Sequence, residues 1–101
     1  MSQQINLIKL ASGEEIIATI EEETPSMVVV SKALMLHMVQ TGPQQYGIQL
    51  YPFLKGAPDE TFPIYPHAII TTLPAPDDLS RSYLSQTSGI EVVSSMSPLL
   101  G

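Results

Sequence analysis

From Ile5 to Leu73 apolar side chains recur mainly with a period of two, and glycine, proline or acidic residues cut the pattern at short intervals. A repeat of two places alternate side chains on opposite faces of a pleated strand, whereas an amphipathic helix needs spacings of three and four. No run of helical period precedes Asp77. The chain is therefore expected to be mainly β: five short antiparallel strands forming a strongly bent sheet or small open barrel.

The segments follow from that pattern. Residues 5–10 read as a first strand, and Ser12-Gly13-Glu14 as a turn in which Gly13 supplies a positive φ. Residues 15–23 read as a second strand with Ile16, Ala18 and Ile20 on one face and Ile17, Thr19 and Glu21 on the other, followed by a turn at Thr24-Pro25-Ser26. The run 27–39 predicts a long, bending third strand whose Val28, Val30, Leu34, Leu36 and Met38 share a face interrupted by Lys32. A loop at 41–45 leads to a fourth strand over 48–54, confined to a sheet edge by Pro52. After a turn at 55–60, FPIY and HAIITTL predict a broken fifth strand joined at Pro66 and stopped by Pro74-Ala75-Pro76. Asp77 then caps a short helix with Leu79 and Tyr83 at i,i+4, ending near Gly89. In the tail, Ile90, Val92 and Val93 are spaced to add a short strand. This divides the chain into a domain at 1–76 and a C-terminal extension at 77–101.

Composition narrows the function classes. Four Lys+Arg against ten Asp+Glu give a formal charge of -6, which repels phosphate backbones at long range and restricts any nucleic-acid contact to a local patch. A 44% hydrophobic content beside 14% charged residues is rich for 101 residues and implies apolar surface hidden in an oligomer. The chain has no cysteine, and no apolar run reaches the roughly 20 residues that span a bilayer. A cytoplasmic protein without membrane contact is the expectation. No nucleophile elbow, phosphate-binding glycine loop or fixed carboxylate pair occurs, so an enzyme is not expected, and neither is a cofactor or metal.

The stretch Tyr65-Pro66-His67-Ala68-Ile69, running on to Thr71 and Pro74, resembles the second signature of the bacterial Sm-like protein Hfq. "IKLASGEEIIATIEEETPSMVVV" at 8–30 is similar to the first Sm signature: an apolar strand, a glycine turn, and a second strand with an acidic tip. The resemblance covers roughly residues 5–76, and the acidic charge and serine-rich extension are most similar to small Sm-like proteins attributed to phages, including cyanophages. It implies an Sm-like fold that closes into a homo-oligomeric ring of about five to seven copies. It also implies uridine-rich single-stranded RNA as ligand, a role in RNA metabolism, and the host cytoplasm if the chain is phage-encoded. Tyr65, His67 and Lys32 are the RNA-contacting candidates so implied, and Ile48, Leu50, Tyr51, Phe53, Ile69 and Thr71 the subunit-interface candidates. The sequence departs from the pattern at Ala18, where the family has glycine; at Glu23–Met27, where it has an RNA-loop signature; and at Pro66, where it has lysine. It also lacks room for the family's N-terminal helix, with four residues before Ile5.

Two functions follow from these residues. One is a ring that binds RNA at His67. The other is an acidic oligomeric scaffold that has given up RNA and binds a host or phage protein. Tyr65-Pro66-His67 also reads as a plain corner, since proline fixes its own φ and pushes the preceding residue to extended geometry. His37, among Leu34, Met35, Leu36 and Met38, reads as a partly buried structural histidine, and Glu21-Glu22-Glu23 as a solvated hairpin tip. Tyr46, Tyr51, Phe53, Phe62 and Tyr65 read as core and interface anchors in preference to a base-stacking platform.

Overall fold

The computed structural model describes residues 4–57 and 60–88. Six strands, β1 (Gln4–Leu10), β2 (Glu15–Thr24), β3 (Met27–Gly42), β4 (Gln45–Pro52), β5 (Thr61–Ile64) and β6 (Ile69–Pro74), precede one helix, α1 (Asp77–Ser88). The strands form one antiparallel sheet in the order β4-β3-β2-β1-β6, with β5 paired to β3. Gly13 closes the β1–β2 turn at φ 110°, as its sequence context predicts. The expected strand from Ile90, Val92 and Val93 lies outside the described residues.

The predicted fifth strand proves to be two strands with different partners. β5 continues along the same edge of β3 as β4, pairing Val28 with Ile64 and Val30 with Phe62, while β6 crosses to β1. Pro66–Ala68 form a 3-10 turn between them, so β5 to β6 is the covalent corner that folds the sheet back on itself. The excursion at 53–60 separates β4 from β5 at the point where β3 is irregular. There, partners of Ile17 and Thr19 on β2 are Leu34 and Ser31, so β3 carries one extra residue. Lys32, within that step, has φ 53°, a left-handed backbone at a non-glycine residue.

This bulge corrects the single face expected for β3. Inserting one residue reverses the alternation beyond it. Val28 and Val30 pack with Ile8, Leu10, Ile16, Ala18 and Ile64 inside the bend, joined after the bulge by Ala33 and Met35. Leu34 and Leu36 go to the opposite face, with Ile17 and Leu50. The expected division of β2 holds: Ile16, Ala18 and Ile20 face the inner cluster, and Ile17 the other.

Helix α1 covers this second face. Asp77 and Asp78 occupy its first turn, where the helix dipole favours negative charge. Leu79 and Tyr83 pack on Ile17, Leu34 and Leu50. Tyr83 is 1% exposed, with its hydroxyl 2.8 Å from Thr19 Oγ1 and donating to the Ser31 carbonyl at 3.3 Å. That contact satisfies the buried hydroxyl of Thr19, which the β2 pattern puts beside Ile17 on the face that α1 covers. Burial, assisted by Glu21, raises the Tyr83 pKa above its ordinary 10.0, and the hydrogen bond to Thr19 opposes the rise.

Two outcomes test this packing. Left-handed backbone costs a side-chain-bearing residue about 1 kcal/mol, and more when it is β-branched. Lys32→Gly should leave the urea midpoint unchanged or higher, and Lys32→Val should lower stability by about 2 kcal/mol; equal effects would contradict the bulge. For Tyr83, a folded pKa above the unfolded value means that the unfolded chain loses its proton first. The contribution of Tyr83 to stability should therefore be constant below its ordinary titration range and be lost as pH rises through 10 and above. Tyr83→Phe should lose the pH dependence attributable to this group at a cost of about 1–2 kcal/mol at neutral pH, read by denaturant titration across pH.

Candidate functional site

Tyr65 enters the corner in extended geometry, φ -91° and ψ 149°, as a residue before proline must. The Ala68 amide donates to the Tyr65 carbonyl at 2.9 Å, and the Ala11 amide to the Ala68 carbonyl at 2.8 Å, which ties the corner to the β1–β2 turn. Tyr65 and His67 are both exposed, with ring centroids 6.4 Å apart and planes within 6° of parallel. The corner thus presents two aligned rings to solvent. Parallel exposed rings can accept the face of a nucleobase, and base stacking on aromatic side chains carries much of sequence-tolerant single-strand binding.

Positive charge is placed elsewhere. Lys32 sits on the β3 bulge, beside Ser31, whose register partner is Thr61. Lys9 lines a cleft of about 550 Å³ with Glu14, Glu15, His37 and Met38, and Lys55 lines a second of about 470 Å³ with Met35, His37, Tyr51 and Pro52. Among the described residues, no ion pair or ring contact joins a lysine to Tyr65 or His67. His37, read from sequence as structural, is exposed and meets Tyr51 edge-on at 5.9 Å. Its grouping with two lysines had no sequence signal, because the three residues come from β1, β3 and the loop after β4. No group of three or more His, Asp or Glu side chains is set to hold a metal ion among the described residues, and no helix there is long and apolar enough to cross a membrane.

Among the described residues β4 and β6 end the strand order, and β5, paired only with β3, continues the β4 side. The Phe53 amide donates to the Ala33 carbonyl at 2.9 Å, so alternation makes Leu34–Pro52 and Leu36–Leu50 non-hydrogen-bonded pairs. The missing N–H of Pro52 therefore points outward and costs the ladder nothing. The Leu50 carbonyl points outward too, where Gln86 Nε2 donates to it at 2.8 Å. On the other side, the Ala75 amide donates to the Ile5 carbonyl at 3.0 Å, and the same alternation turns the Pro74 nitrogen outward.

The six residues expected at a subunit interface divide accordingly. Ile48 and Tyr51 are exposed on β4, and Thr71 is exposed on β6. Leu50 lies buried under α1, Phe53 stacks on Phe62 at 6.1 Å, and Ile69 packs on the inner cluster, so these three side chains serve the chain's own core. Exposed apolar side chains outside that set of six include Met38 on β3, Ile70 and Leu73 on β6, and Leu84 on α1.

Neither a scan against protein-family models nor a search of curated proteins returns a match for this chain.

Proposed function

We propose that this chain is an Sm-like, ring-forming protein that holds single-stranded RNA by base stacking at the repeated Tyr65–His67 corner. The observation that carries the reading is the pair of exposed, parallel rings on the turn that closes the sheet. The ends of the strand order among the described residues support assembly: β4, with Tyr46 and Ile48 exposed, is the complement for β6, with Ile70 exposed, in the next copy. Head-to-tail pairing of unlike edges closes into a ring when the rotation allows, and closure removes the edges that invite aggregation. The family resemblance suggests about five to seven copies. Each subunit then contributes one corner, and identical weak contacts along one strand raise the effective concentration for the next.

With Pro66 in place of the family's lysine and a formal charge of -6, the contact is short of phosphate-binding charge. Uridine-rich RNA is therefore held weakly, with a shallow salt dependence. The second reading, an acidic scaffold for a host or phage protein, is favoured by the placement of Lys9 and Lys55 in clefts around His37 and by the exposed Glu21–Glu23 tip.

Light scattering at micromolar concentration should give a closed oligomer of about five to seven copies. Ile48→Lys or Ile70→Lys should yield monomers with unchanged β circular dichroism; a monomeric parent, or assembly unaffected by both changes, would contradict the ring. Fluorescence anisotropy with oligo-U at two salt concentrations tests the corner. His67→Ala should weaken binding several-fold with assembly intact, since one stacked base is worth about 1–3 kcal/mol, and Pro66→Lys should strengthen it. Absence of binding by the parent, or indifference to both substitutions, selects the scaffold reading.

A further inference from the structure

The chain has four Lys+Arg side chains, and two of them, Lys9 and Lys55, line separate clefts that share Met35 and His37. The two clefts differ in charge. Glu14 and Glu15 accompany Lys9, whereas among the described residues no acidic side chain lines the Lys55 cleft. The walls of the Lys55 cleft are Met35, Pro52 and the ring of Tyr51, with His37 and Lys55 as its polar groups. His37 meets Tyr51 at an interplanar angle of 71°, and the Tyr51 hydroxyl donates to Gln49 Oε1, so the phenol ring is held at both its edge and its tip.

The geometry points to a binding site for a planar organic anion of the mononucleotide class in this cleft, with the base against Met35 and the Tyr51 ring and the phosphate between Lys55 and His37. A volume of about 470 Å³ falls within the usual range of small-ligand pockets. The apolar walls of Met35, Pro52 and Tyr51 suit a flat ring, and the exposed Lys55 and His37 beside them offer a charge-assisted contact to an anionic substituent on it. Met35 and Tyr51 are register partners and so share one face of the β3–β4 hairpin. Pairing along the outer edge of β4 leaves that face open. The site shares no residue with the Tyr65–His67 corner and does not depend on it.

The same chemistry exists in a free nucleotide and in one residue of an RNA strand, and two titrations of the full chain separate them. With AMP followed by NMR, Met35, His37 and Tyr51 signals should shift and saturate with a dissociation constant of about 1 mM or tighter. Lys55→Ala should weaken this about tenfold, Lys55→Arg should restore it, and His67→Ala should leave it unchanged. A short oligoadenylate should bind the cleft no more tightly than AMP. The proposal is overturned if AMP does not saturate, if inorganic phosphate produces the same shifts at equal affinity, if Lys55→Ala has no effect, or if the oligonucleotide binds these residues more tightly. Shifts confined to Tyr65 and His67 would overturn it while supporting the corner as the RNA site.

Discussion

One left-handed residue, Lys32, decides what β3 can pair with and which way its side chains face. A strand of 16 residues would run straight past a small core. With φ 53° at Lys32 and one extra residue opposite Ile17–Thr19 of β2, β3 instead bends, so its first half takes β5 and its second half β4 along one edge. The rest of the topology depends on that division. Only because β5 is placed beside the first half of β3 can the three-residue turn at Pro66–Ala68 deliver β6 to β1 and close the bend. The cost of the backbone is about 1 kcal/mol, small against the burial of Ile8, Ile16, Ala18 and Val30, which the bend makes complete.

The same extra residue produces two apolar faces from one strand. Inside the bend the sheet packs on itself; outside, Ile17, Leu34 and Leu50 would be left to water. Helix α1 answers that exposure at two levels. Tyr83 fills the apolar surface and gives Thr19 a buried hydrogen-bond partner, and Gln86 takes the outward carbonyl of Leu50 on the sheet edge. Buried polar groups are costly unless paired, so the helix is fixed in position as well as attracted. It also blunts the end of β4 near Pro52, which leaves the stretch around Tyr46 and Ile48 as the edge open to another strand.

The sequence disclosed the strands and not their partnerships. Period-two alternation located β1, β2 and β4 to within a few residues and gave the correct faces of β2, because Thr19 and Glu21 mark one side clearly. It failed on β3 since both faces are apolar there: Ala33, Leu34, Met35 and Leu36 in succession erase the phase. The signal was the adjacent polar pair Ser31-Lys32, which breaks alternation and coincides with the bulge. FPIY and HAIITTL read as one broken strand because nothing local distinguishes a kink from a change of partner. Of the candidate residues, Tyr65 and His67 were legible as a proline corner, and their parallel exposure is a consequence of that corner. The convergence of Lys9, His37 and Lys55 arises from three separate segments and had no trace in spacing. Leu50 and Phe53 pack in the chain's own core, a demand that edge-strand composition alone does not separate from an interface.

The reversal of β3 across Lys32 can be measured directly by methyl and aromatic nuclear Overhauser effects in the labelled full chain. The account predicts contacts from Leu34 methyls to the Tyr83 ring and to Leu50, with the Ala33 methyl instead seeing the Val30 and Ile64 side of the sheet. Contacts from Leu34 to Val30 and Ile64, with none to Tyr83, would mean unbroken alternation through Lys32 and would contradict the fold on which both the corner and the clefts rest.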